Sequence, residues 1–227
     1  MRILGLTGSI GMGKSAAAKM FVRLGVPVHD ADAEVHRLLG KGGRAVKAVE
    51  AAFPGVVAEG AVDRLALGAK VFGDPPALKK LERILHPLVR QSTDAFLARA
   101  RANHERLVVL DIPLLFEARA EGRCHATVVV SAPAFLQTQR VLARPGMTPD
   151  KLAQVRARQI PDAHKRRQGD FLIPSGLGFR YSFERIFRLV RSIKGAPACA
   201  KSCSIPKPRA SIRRRVIASW KSGWSSF

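Results

Sequence analysis

The sequence predicts an α/β fold, a parallel sheet flanked by helices with a helical insertion after the second strand. Three observations predict it. Short apolar runs at 2–7, 26–29, 107–111, 126–130 and 171–173 have the length and composition of strands. Segments with helical spacing separate most of them, the alternation that builds parallel sheets. Residues 33–105 contain helical patterns and no strand-like run.

The first strand, with Ile3, Leu4 and Leu6, runs into Gly8-Ser9-Ile10-Gly11-Met12-Gly13-Lys14-Ser15, which fits the pattern G-x-x-x-x-G-K-[ST]. In such a turn, backbone N–H groups and a helix N-terminus converge on phosphate oxygens. Lys14 is expected to reach the β- and γ-phosphates, and the Ser15 hydroxyl to ligate Mg²⁺. Residues 8–16, ending at Ala16, form the expected nucleoside-triphosphate-binding segment, and the architecture expected is of the P-loop NTPase type. Ala17, Met20, Phe21 and Leu24 mark the buried face of the following helix, and Gly25 is placed to end it in a left-handed cap.

The second strand ends at Asp30-Ala31-Asp32. A right-handed crossover makes it parallel to the first, so both carboxyl ends meet at the ligand-binding edge of the sheet. Asp30 and Asp32 therefore face the phosphate loop. One of them is expected to bind substrate or accept the proton of a substrate hydroxyl. The competing reading is a cap for a helix starting near Ala33, and one of the two is expected to serve it.

Within 33–105, breaks are expected at Gly40/Gly42/Gly43, Pro54-Gly55, Gly73-Asp74-Pro75-Pro76 and Pro87. Val62, Leu65, Ala69 and Phe72 form one expected helix face, and Leu78, Leu81, Leu85 and Leu88 another. Such an insertion suits a cap over an acceptor substrate, or plain packing against the sheet.

The third strand, 107–111, is apolar up to Asp111, where an acid orients Mg²⁺ through water. Pro113-Leu114-Leu115-Phe116-Glu117 then supplies either a ligand wall or core. A fourth strand, 126–130, leads to an Arg-rich stretch in which Arg140 and Arg144, four apart, share a helix face. A basic lid closing over a triphosphate needs such residues, with Arg140 first and Arg144 second. After the fifth strand, Gly176 and Gly178 turn the chain into a last helix with Phe183, Ile186, Phe187, Val190 and Ile193 on its buried side.

The domain division expected is a P-loop domain over 1–194 and a basic tail over 195–227. The P-loop domain comprises a core (1–32 and 106–194), the insertion (about 33–105) and a lid (about 136–168). The net charge of +22 is too large for the seven tail cations to explain, so the body is basic in its own right. Aromatic residues are sparse and not interleaved with the cations, which argues against a single-strand stacking platform and against nucleic acid as a partner of the core. No apolar run reaches membrane-spanning length, and glycines interrupt the N-terminal one. Three cysteines make no disulfide framework, and Cys199 and Cys203 lack companions for zinc. A monomer in the reducing cytoplasm is expected, with no membrane contact.

Taken in order, Leu6–Ser15, Val28–Asp32, Asp63-Arg64 with Val71-Phe72, Leu81-Glu82 with Ile84–Pro87, Val109–Glu117 and Gln139-Arg140 with Arg144 resemble the dephospho-coenzyme A kinase family over roughly 1–194. The resemblance implies transfer of the ATP γ-phosphate to the ribose 3′-hydroxyl of dephospho-coenzyme A, with Mg²⁺. It implies that Asp32 is the general base, that Lys14 and Ser15 are phosphate and metal ligands, and that Arg140 is a lid arginine. His86 with Pro87, and Pro113-Leu114-Leu115, match motifs near the acceptor. The chain departs from the family at Ala16, where threonine is common, and at Ile173-Pro174-Ser175-Gly176, where Ile-Asp-Asn is common near the adenine; the tail has no counterpart. Other metabolite kinases of adenylate or shikimate type lack the Asp30-Ala31-Asp32 and Asp111–Leu115 pair of motifs. A P-loop switch or nucleic-acid ATPase is a rival in another class, although no guanine-reading Asn-Lys-x-Asp is present.

Overall fold

The computed structural model describes residues 1–195. The expected basic tail, with Cys199 and Cys203, lies outside the described residues. The described chain runs β1 (Arg2–Thr7), α1 (Lys14–Arg23), β2 (Val28–Asp30), α2 (Ala31–Leu39), α3 (Val46–Ala52), β3 (Val57–Ala58), β4 (Ala61–Val62), α4 (Arg64–Val71) and α5 (Pro75–Ala102). It continues through β5 (Leu107–Asp111), β6 (Ala126–Ser131), α6 (Ala134–Leu142), α7 (Pro149–Ala157), α8 (Asp162–Gln168), β7 (Phe171–Pro174) and α9 (Phe179–Gly195).

Five of the strands form one parallel sheet in the order β2-β5-β1-β6-β7. Alternation along each strand sends side chains to two cores. Leu4, Leu6, Leu107, Val109, Val128 and Val130 pack against Met20 and Phe21 of α1 and Ile186, Leu189 and Val190 of α9. Ile3, Val108 and Leu110 face the other way, onto Leu97 and Ala100 of α5. The register pairs Leu6 and Asp30 with Asp111, so three strands deliver their ends to one edge. Gly25, at φ 65°, closes α1 as expected.

The segment between β2 and β5 has its own core of Leu38, Val49, Phe53, Val56, Leu67, Leu81 and Leu85. Here several expectations are corrected. A two-residue hairpin, β3–β4, interrupts the helices; Val57, Ala58 and Ala61 are too short a run to show alternation. Pro87 does not end a helix but lies within the 28-residue α5. It denies the Arg83 carbonyl a donor, but both residues are exposed and water can take that place. The helix persists because its first half packs on the insertion core and its second half on the sheet. In α4 the buried residue is Leu67, whereas Leu65 and Phe72 are exposed. The helix starts only after the cap residue Asp63, so Val62 belongs to a strand and shares no helix face with them. Leu78, on the second expected face, is also exposed. In α9 Phe187 is exposed and Leu189 takes the buried position. Among the described residues, no helix is long and apolar enough to cross a membrane.

Candidate active site

The phosphate loop leaves β1 at Thr7, whose hydroxyl donates to the Pro113 carbonyl at 2.9 Å. Gly13, at φ 87°, precedes α1 and carries no side-chain cap, so the helix N-terminus presents its free amides to the loop. Gly8 and Gly11 are required by space. A Cβ on Gly8 would sit 2.7 Å from the Val130 carbonyl oxygen, and one on Gly11, already at φ +74°, 2.5 Å from Val141 Cγ2. The loop lines a cleft of ≈ 770 Å³, together with Asp32, Pro113, Arg140 and Arg144. Ser9 Oγ is buried there with no hydrogen-bond partner, an orphaned donor that a phosphate oxygen would satisfy.

Lys14 Nζ lies 2.7 Å from Asp111 Oδ1 at the end of β5. Burial pushes the Asp111 carboxyl up to about 6, despite the opposing pull of the Lys14 ammonium. The two aspartates after β2 have separate duties. Asp30 Oδ1 accepts the N–H groups of Asp32 (2.9 Å) and Ala33 (3.0 Å), capping α2, which begins at Ala31. Asp32 is exposed and lines the cleft, which Asp30 does not. Behind them, His29 stacks on Phe96 and meets Thr93 Oγ1 at 3.1 Å, fastening β2 to α5. Burial lowers the His29 pKa, which favours the neutral ring.

From the opposite side, Arg140 donates to Ser175 Oγ (3.1 Å) and Ser175 O (2.9 Å), while Ser175 Oγ donates to the Met12 carbonyl at 2.6 Å. The serine at the departure from the common Ile-Asp-Asn thus ties the arginine to the phosphate loop. Arg144 also lines the cleft, but α6 ends at Leu142, so the two arginines do not share a helix face. Gln137 and Gln159 grip the two sides of the Ile10 residue: Gln137 Nε2 donates to its carbonyl at 2.8 Å and Gln159 Oε1 accepts its N–H at 3.1 Å.

Besides Asp30 and Asp111, three more expected residues do not line the cleft. Leu115 is fully buried, with Cδ2 2.9 Å from where a Cβ of Gly5 would stand, so it is core and not wall. Leu114 is exposed and His86 sits exposed on α5, and neither lines the cleft. Ser175, Gln137 and Gln159 were not anticipated. No periodicity marks them, because each works through a single side-chain hydrogen bond to a loop distant in sequence.

The donors suit a metal that arrives with its nucleotide. Among the described residues no group of three or more His, Cys, Asp or Glu could hold an ion by itself. Mg²⁺ is commonly bound by one or two protein oxygens plus substrate phosphates. Ser15 Oγ at the start of α1 and the Asp111 carboxylate at the end of β5, here paired with Lys14, are the oxygens that could hold such an ion.

The dephospho-CoA kinase family model matches residues 2–177. A dephospho-CoA kinase of Paramagnetospirillum magneticum is 69% identical over 166 residues, covering 73% of this chain and 78% of that one. One of Mesorhizobium japonicum is 56% identical over 195 residues, covering 86% and 98%. A crystal structure from Thermus thermophilus has a TM-score of 0.73 at 36% identity, covering 84% of this chain and 96% of that one. A dephospho-CoA kinase structure from Campylobacter jejuni, at 22% identity and TM-score 0.58, shares the fold.

Proposed function

The chain belongs to the dephospho-CoA kinase family, and from that premise we propose which of its residues carry the reaction. The protein is an ATP-dependent phosphotransferase that places the γ-phosphate on the ribose 3′-hydroxyl of dephospho-coenzyme A, the last step of coenzyme A biosynthesis. The observation that carries the assignment is that Asp32, and not Asp30, lines the same cleft as the phosphate loop.

Residues 8–15 hold the triphosphate through loop amides and the first turn of α1. Lys14 exchanges Asp111 for β- and γ-phosphate oxygens. Asp32 accepts the proton of the 3′-hydroxyl as that oxygen bonds to the γ-phosphorus, and the bond from phosphorus to the bridging oxygen of ADP breaks in line. Arg140, steadied by Ser175, offsets charge on the transferring group, and Arg144 lies ready to add to it. A Mg²⁺ ion held by Ser15 and, through water, by Asp111 would neutralise the β- and γ-phosphate oxygens.

We assign 33–105 to the acceptor cap and 136–168 to the lid, and a monomer in the cytoplasm as the working form, which sedimentation of the purified chain tests. The activity itself is tested by incubation with ATP, Mg²⁺ and dephospho-coenzyme A and identification of the product by mass and phosphorus NMR. A 3′-phosphorylated product is expected; its absence from folded protein contradicts the assignment.

A further inference from the structure

Lys165 of α8 is completely buried, a costly place for an ammonium, and its Nζ lies 2.7 Å from Glu117 Oε1. Apolar replacement of such a pair is often neutral or stabilising, so stability alone does not explain it. What the pair does provide is position. The same oxygen, Glu117 Oε1, accepts the backbone N–H of Ile160 at 3.0 Å. Ile160 follows Gln159, whose Oε1 accepts the Ile10 N–H of the phosphate loop. At the far side of this turn Asp162 Oδ2 accepts the Ser131 hydroxyl at 2.7 Å, fixing the start of α8 to the end of β6. The turn between α7 and α8 is therefore anchored at two points, to Glu117 in the turn after β5 and to Ser131 at the end of β6, and touches the loop through one carboxamide.

The loop needs such a hold. Ile10 lies between Ser9 and Gly11, in a stretch whose glycines leave the backbone little intrinsic preference. Gln137, itself buried and held at Oε1 by Arg156 Nη2 at 2.7 Å, fixes the Ile10 carbonyl. Gln159 fixes its N–H. Together they set the peptide planes on both sides of Ile10, and with them the direction of the amides that meet the triphosphate.

We propose that Gln159 is a positioning residue for the phosphate loop, seated by the buried Glu117–Lys165 pair, and that this chain aligns the loop for ATP. The inference rests on reading residues 8–15 as the triphosphate cradle.

The test uses the full chain. Gln159→Met keeps the bulk and removes the acceptor; it should lower kcat/KM for ATP about tenfold while leaving KM for dephospho-coenzyme A and the melting temperature near wild type. The charge-free pair Glu117→Leu/Lys165→Met should show a similar ATP defect with undiminished thermal stability. Adding Gln159→Met to it should then cost little more, because both act on one contact. Gln159→Met within about twofold of wild type for ATP, equal losses toward both substrates, or full additivity would each overturn the proposal. Lys14→Ala separates the two levels: if it leaves ATP use intact, the cradle reading itself fails, whatever Gln159 does.

Discussion

Lys14 Nζ and Asp111 Oδ1 stand 2.7 Å apart, so the lysine of the phosphate loop is paired with the acid at the end of β5. Asp111 is 1% exposed and its carboxyl is raised to about 6 by burial. The lysine makes this carboxylate tolerable, and the carboxylate keeps the lysine oriented toward the sheet edge. In the proposed reaction a triphosphate takes the carboxylate's place at Lys14 and leaves Asp111 available to the metal.

The Asp111 shift predicts a pH dependence of stability. The folded value of about 6 exceeds the ordinary 3.8, so the folded state holds this proton more tightly. The stabilisation is complete below about pH 3.8 and is lost as pH rises through about 6. Relative to Asp111→Asn, the wild type should therefore lose about 2 kcal/mol between pH 4 and 7. Urea denaturation of both proteins across that range checks it; parallel profiles would contradict the shift.

Asp30 predicts a stability effect without a catalytic one. Asp30→Ala removes the α2 cap and should cost about 1 kcal/mol, whereas Asp30→Ser retains an N-cap acceptor and should cost only a few tenths. Neither should lower kcat more than a few-fold. Denaturation midpoints and initial rates together read this, and a large loss of kcat in Asp30→Ser would give Asp30 a chemical role.

Two glycines predict opposite outcomes. Gly11→Ala places a methyl against Val141 at positive φ, and a cost of about 1–3 kcal/mol should appear with impaired ATP use. Gly68→Ala lies within α4 with open space around its Cβ and should stabilise by about 0.5–1 kcal/mol without changing activity. Thermal melts and KM for ATP test the contrast.

Cys124 should be inert. Burial pushes its thiol up to about 12, and its sulfur packs against Gly5. In a Cys199→Ser/Cys203→Ser chain, iodoacetamide at pH 8 should label Cys124 only as the protein unfolds. Rapid labelling of the folded protein would contradict this.

The phosphate loop and the strands around it were legible because glycine spacing, a lysine and short apolar runs are local signals. Asp30 and Asp32 were placed at the correct sheet edge by topology, yet only the cap hydrogen bonds to Asp30 separate their roles. Pro87 misled because its cost is local while the packing that outweighs it comes from two distant cores. Phe187 and Leu65 misled because apolar spacing cannot tell a core face from an exposed one. Leu115 read as wall or core, and only the space beside Gly5 decides for core. Gln159, Ser175 and Lys165 act across more than forty residues of chain or through single hydrogen bonds, which no window of sequence reveals.

In the proposed reaction Asp32 activates the acceptor hydroxyl beside the loop that holds the donor. Single-turnover phosphoryl transfer by Asp32→Asn, with ADP and dephospho-coenzyme A affinities measured alongside, tests it most directly. The rate should fall by about 10²–10⁴-fold with binding nearly unchanged. A rate within a few-fold of wild type would contradict it.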